Sequence, residues 1–142
     1  MKNILLIGCG HMGGSLMSGW SNSKNYTISV IDKKKYAILK KRNRNKKIKF
    51  FKSIDDINNQ NNLDYIIFAT RPLELTNVFK ELKNTNFNKK SIAISVIAGK
   101  KTEIFKKNLL NISKIVRVMP NMPALIGEGV HCIYTNKSIN KK

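Results

Sequence analysis

The sequence predicts an α/β fold, a doubly wound, mostly parallel sheet with helices on both faces. Three observations carry this. Short apolar runs bounded by turn residues recur along the chain, segments of helical period separate them, and the first run leads straight into a glycine-spaced loop and an amphipathic helix. Continuous apolar runs suit strands buried on both faces, and strand–helix alternation makes such strands parallel.

The strands are expected at residues 4–7, 26–31, 48–51, 65–69, 92–97, 115–119 and 130–134. A helix is expected over 11–21, where Met12, Leu16 and Trp20 form one apolar stripe. A second covers 34–42, with Tyr36, Ile38 and Leu39. Ser53 is placed to cap a short helix. The segment 72–82 opens on Pro72 and carries Leu75, Val78, Phe79 and Leu82 at spacings of three and four. The last, 102–110, takes Thr102 as its cap and buries Ile104, Phe105 and Leu109. Right-handed crossovers are expected between the strands. Residues 58–62 read as a polar loop. The domain reading is one dinucleotide-binding domain over 1–136, followed by a truncated tail over 137–142.

The chain of 142 residues has a formal net charge of +19. Such a charge suits nucleic acid or an anionic surface. However, only Arg42, Arg44, Arg71 and Arg117 are arginines, and the other 23 of the 27 basic residues are lysines scattered over helix faces. Base and phosphate readers favour the arginine fork. A solvated lysine surface is therefore the expectation, with no nucleic-acid partner. No apolar run is long enough to cross a membrane, so no membrane partner is expected either. Cys9 and Cys132 match no metal-ligand spacing, so no metal is expected, and they read as reduced thiols of a cytoplasmic protein.

The chemistry begins at Ile7-Gly8-Cys9-Gly10-His11-Met12-Gly13. In a Gly-x-Gly-x-x-Gly loop between strand and helix, the first glycine permits the tight turn. The second lets backbone approach a pyrophosphate, and the third lets helix pack on strand. The helix start then offers free N–H groups to phosphate. Asp32 follows Gly13 by 19 positions, where an acid accepts from ribose hydroxyls; its plainer reading is a turn residue or helix cap. Lys33, Lys34 and Lys35 come next and suit a 2′-phosphate, so the cofactor is NADP or NAD, with the choice open. His11 and Met12 fill the variable positions, Met12 packing beneath the cofactor or into the core.

Three further segments carry a more specific pattern: Phe68-Ala69-Thr70-Arg71-Pro72, Ser95-Val96-Ile97-Ala98-Gly99, and Arg117-Val118-Met119-Pro120-Asn121-Met122-Pro123-Ala124-Leu125-Ile126-Gly127-Glu128-Gly129. With the glycine loop they make the chain resemble the pyrroline-5-carboxylate reductases over about residues 2–135. The resemblance implies NAD(P)H-dependent reduction of the cyclic imine 1-pyrroline-5-carboxylate to L-proline. It implies that Ala69, Thr70, Arg71 and Pro72 line the cofactor path and that Ala98 shapes the nicotinamide pocket. Pro120, Asn121 and Pro123 would lie at the substrate edge. Arg71 stands where the family usually has Lys, and Met122 where it has Thr. Family members continue into a helical domain that builds the dimer and completes the substrate site. This chain is therefore expected to carry the cofactor half, with no catalytic residue assigned and little or no activity alone. Apolar Leu125, Ile126, Val130 and Ile133 are expected to stay exposed where that domain docks. The alternatives are a stand-alone NAD(P)-binding module, or a dehydrogenase fragment of β-hydroxyacid type.

Overall fold

The computed structural model describes residues 1–121 and 129–136. Among them the strands are β1 (Lys2–Ile7), β2 (Tyr26–Ile31), β3 (Ile48–Phe51), β4 (Tyr65–Phe68), β5 (Ile92–Ser95), β6 (Lys114–Pro120) and β7 (His131–Thr135). The helices are α1 (His11–Ser21), α2 (Tyr36–Arg42), α3 (Leu75–Leu82) and α4 (Thr102–Asn108), with 3-10 turns at Ile54–Asp56 and Gln60–Asn62. One sheet holds all seven strands in the order β3-β2-β1-β4-β5-β6-β7. This is the doubly wound, Rossmann-type order: β1 is central, and the chain runs outward first one way and then the other.

Period-two alternation divides the core into two layers. From β1, Leu5 and Ile7 point to one face, where Leu75, Phe79 and Leu82 of α3 and Phe105 of α4 pack. Ile4 and Leu6 point to the other, against Leu16, Met17 and Trp20 of α1 and Leu39 of α2. Helices thus lie on both faces, as expected. At the centre of the first layer, the Phe68, Phe79 and Phe105 rings meet at centroid distances of 5.1–6.0 Å, a range that suits tilted and edge contacts.

Several boundaries differ from the expectation, each for a local reason. Helix α3 starts at Leu75, because the Glu74 N–H first closes a turn onto the Arg71 carbonyl at 3.0 Å. Helix α2 starts at Tyr36, because Asp32 organises residues 33–35 as a turn. Lys101, with extended backbone, occupies the cap position of α4, and Thr102 lies buried inside the first turn. The α1 stripe is Gly13, Leu16, Met17 and Trp20. Gly13 seats the helix on the loop, and at about 100° per residue this turns Met12 aside. Ser53 caps as expected, in a reciprocal capping box with Asp56, although the helix it starts is only a 3-10 turn. The final pairing, β6 with β7, is antiparallel, so no crossover joins those two strands.

The exposed apolar surface falls where it was expected: Val130 is 72% and Ile133 66% exposed. Leu125 and Ile126 lie outside the described residues, as do Met122, Pro123, Glu128 and the tail 137–142.

Candidate functional site

The loop after β1 is fixed by steric fit. Gly8 has φ +93°, and a Cβ there would stand 2.8 Å from the Ala69 carbonyl oxygen and 2.9 Å from Thr70 Cγ2. A Cβ on Gly13 would collide with the Gly8 carbonyl oxygen. These two glycines are demanded by the protein's own packing. Gly10 is different: a Cβ there would meet nothing within 4 Å. The fold does not need a glycine at this position, and the space over it is open.

Helix α1 begins at the same place. Its cap residue, Gly10, makes no side-chain cap hydrogen bond, and the first turn holds no acidic residue. The N–H groups at the start of a helix have no partner within the helix. Together with the helix dipole they favour an anion.

Two adjoining clefts open here, at the carboxyl ends of the central strands. The first, about 310 Å³, is lined by Gly8, Gly10, His11, Asp32, Lys34, Lys35, Ala69, Thr70, Arg71 and Glu74. The second, about 370 Å³, runs from Ile7, Ile31 and Asp32 to Asn77, Val78 and Glu81 of α3, past Lys33 and Lys34. Thr70 lies at their junction, and its hydroxyl is buried without a hydrogen-bond partner.

Asp32 links the two loops. Its carboxylate accepts from the Cys9 N–H at 2.8 Å and from the Lys35 N–H at 3.0 Å. The turn-and-cap reading of Asp32 is therefore correct as far as it goes. Each oxygen keeps a further lone pair, and the residue still lines both clefts. The three lysines are anchored separately. Lys35 Nζ donates to the Cys9 carbonyl at 3.1 Å. Lys33 pairs with Glu81, and Lys34 with Glu74, both at 2.7 Å. The Lys34 hydrogen bond holds the Glu74 carboxyl below its ordinary range.

Of the expected site residues, the clefts gather Ile7, Gly8, Gly10, His11, Asp32, Lys33, Ala69, Thr70 and Arg71. Cys9 lines neither cleft. Its side chain is buried in the α1-side layer, 4.0 Å from Met17 Sδ, and burial pushes the thiol pKa up. Met12 is half-buried but joins neither the core layer nor the cleft lining. Gly13 acts through packing. Pro72 and Ala98 are exposed and line neither cleft. At the end of β6, half-buried Pro120 leads to exposed Asn121, whose Oδ1 accepts from the Val130 N–H at 3.1 Å and ties the ends of β6 and β7 together. Pro123 lies outside the described residues. Sequence reasoning missed Glu74, Asn77, Val78 and Glu81. Their spacing of three, one and three along α3 places them on one helix face, which was the available signal.

A family model described as "NADP oxidoreductase coenzyme F420-dependent" matches residues 3–99. The chain is 30% identical to a pyrroline-5-carboxylate reductase of Haemophilus influenzae, covering 99% of this chain and 51% of that protein. Its fold is similar to that of a pyrroline-5-carboxylate reductase from Coxiella burnetii, with TM-score 0.79, 25% identity, and coverage of 99% of this chain and 52% of that one. A Plasmodium falciparum pyrroline carboxylate reductase with NADP bound shares the fold at TM-score 0.70 and 24% identity, covering 99% of this chain and 50% of that one. The chain spans about half the length of the relatives it matches. Among the described residues, no helix is long and apolar enough to cross a membrane.

Proposed function

The chain belongs to the family described as NADP oxidoreductase coenzyme F420-dependent, and from that premise we propose that it is the cofactor-binding half of a pyrroline-5-carboxylate reductase. On this reading it holds NADP(H) or NAD(H) for the reduction of 1-pyrroline-5-carboxylate to L-proline. The bound nicotinamide supplies the hydride, and the chain's own residues bind and orient. The free N–H groups at the start of α1 hold the pyrophosphate, and Gly10 leaves room for it. Asp32 accepts from ribose hydroxyls with the lone pairs its backbone partners leave free. The unpartnered Thr70 hydroxyl, with Arg71 beside it, completes the wall. Ala98, Pro120 and Asn121 form the nicotinamide and substrate edge; Asn121 keeps its amide N–H groups for this, since its oxygen is engaged by Val130.

The groups that close on the imine come from the part of the relatives' length that this chain does not span, as does the dimer contact. Turnover by the chain alone is accordingly weak or nil. Its compartment is the cytoplasm, where Cys9 and Cys132 persist as free thiols.

One observation carries the reading above the others: the open space over Gly10 at the uncapped start of α1. Titration of the chain with NADPH and with NADH, followed by nicotinamide fluorescence, tests it. Saturable binding tighter than roughly millimolar is expected for at least one of them. No binding of either would overturn the proposal.

A further inference from the structure

The two ion pairs at the second cleft span it. Lys33 and Lys34 stand on the turn after β2, whereas Glu81 stands on α3 and Glu74 at its cap position, and all four line the same 370 Å³ space. Each pair has its nitrogen and oxygen 2.7 Å apart, so both ammonium groups are already engaged by carboxylates. The third lysine of the run, Lys35, is turned to the Cys9 carbonyl. A lysine run that reads as a free phosphate site in the sequence is, in the fold, a neutralised strap over the cleft.

We propose that Glu74 and Glu81 set which dinucleotide the cleft accepts, by competing with a 2′-phosphate for the ammonium groups of Lys34 and Lys33. This rests on the reading of the cleft as a dinucleotide site. Its chemistry is a contest between anions. A cofactor with a free ribose 2′-hydroxyl brings no charge to the strap and leaves both pairs intact. A 2′-phosphorylated cofactor brings a dianion close to −2 at neutral pH. That dianion must draw the ammonium groups off the glutamates, and it then lies beside two uncompensated carboxylates. The penalty falls on the phosphorylated cofactor alone. It is moderate, because exposed ion pairs are individually weak and screened by salt. The strap therefore tunes a preference and does not exclude either cofactor. Asp32 lines the same cleft and its carboxylate also disfavours a 2′-phosphate, but it is common to every variant compared, so the change in ratio reports the glutamates.

The test compares the wild-type chain with Glu74→Gln/Glu81→Gln and Lys33→Met/Lys34→Met. NADPH and NADH binding are read by nicotinamide fluorescence, and adenosine 2′,5′-bisphosphate and 5′-AMP binding by calorimetry. Removing the glutamates should raise the NADPH:NADH affinity ratio roughly three- to thirtyfold, the range that two exposed pairs can supply. The bisphosphate:monophosphate ratio should rise in parallel, and both effects should shrink in high salt. Removing the lysines should lower both ratios. All four side chains are at the surface, and circular dichroism checks that the variants fold. If the dinucleotides bind and the glutamate variant leaves both ratios unchanged or lowers them, this proposal is wrong and the cofactor reading stands. If the wild-type chain binds none of the four ligands, the cofactor reading fails and this proposal fails with it.

Discussion

Strand β1 and strand β7 belong to one sheet, yet their surroundings are opposite. Leu5 and Leu6, neighbours on β1, point to opposite faces and are each 0% exposed. Ile133 and Tyr134, neighbours on β7, also point to opposite faces and are 66% and 59% exposed. The difference follows from strand direction. Parallel neighbours need a crossover, and its helix covers the sheet as it returns. α1 and α2 cover one face near β1 to β3, while α3 and α4 cover the other. Strand β7 runs antiparallel to β6, a return that needs no helix. The cleft end of the molecule is self-contained, whereas the β7 end presents apolar side chains to solvent.

The largest test of this contrast is at the covered end. Phe68→Ala removes the ring that packs on both Phe79 and Phe105, and should cost about 3–5 kcal/mol in denaturant unfolding. Ile133→Lys at the open end should change stability by less than about 0.5 kcal/mol. It should also reduce self-association in sedimentation, since Ile133 is a large apolar side chain left exposed on an edge strand. A comparable loss of stability at both sites would erase the distinction.

Within the cleft the glycines separate packing from binding. Gly13→Ala forces a Cβ into the Gly8 carbonyl and should cost about 1–3 kcal/mol. Gly10→Ala should leave stability within about 0.5 kcal/mol and weaken cofactor binding about tenfold or more, a loss of at least ~1.4 kcal/mol of binding free energy. Equal effects on stability at both positions would remove the argument for a ligand over Gly10.

The smallest effect lies at the amino ends of the central strands β1 and β4, opposite the cleft. Asp64 accepts from the Asn3 N–H at 2.8 Å and from Lys2 Nζ at 2.9 Å, and the Asn3 bond is the main cause of its lowered pKa. A carboxyl with a lowered folded pKa stabilises the fold fully above its ordinary value of 3.8, and the gain fades as pH falls through the lowered value. Asp64→Asn should therefore melt slightly below the wild type at pH 7, and the two should converge in strong acid. A gap that persists there would assign the effect to packing.

Much of the fold was legible in the sequence, because strand burial and helix amphipathicity are local periodic signals. Residues 4–7 announce a central strand by unbroken apolar character, 26–31 a strand by apolar residues interrupted only by Thr27 and Ser29, and Leu75, Val78, Phe79 and Leu82 announce α3 by spacing. The starts of α2 and α3 were less legible. They depend on hydrogen bonds to Asp32 and to the Arg71 carbonyl, which no propensity records. That Gly8, Gly10, Asp32 and Ala69 to Arg71 would share one cleft was legible, since each belongs to a short motif at the carboxyl end of a strand. That the Cys9 side chain turns into the core was not legible, because a motif fixes a residue's backbone and leaves the direction of its side chain open.

By itself, the sequence determined the strands and helices, the glycine-spaced loop between the first strand and helix, and the resemblance that names a reaction. It did so through patterns repeated every two or about four residues and through steric rules that hold within one loop. Only the tertiary structure decided that Lys33 and Lys34 face Glu81 and Glu74, that Thr70 keeps an unpartnered hydroxyl between two clefts, and that β7 lies bare. These facts join residues about 40 to 50 positions apart or depend on what covers a surface, and such contacts exist only once the sheet has brought distant segments together.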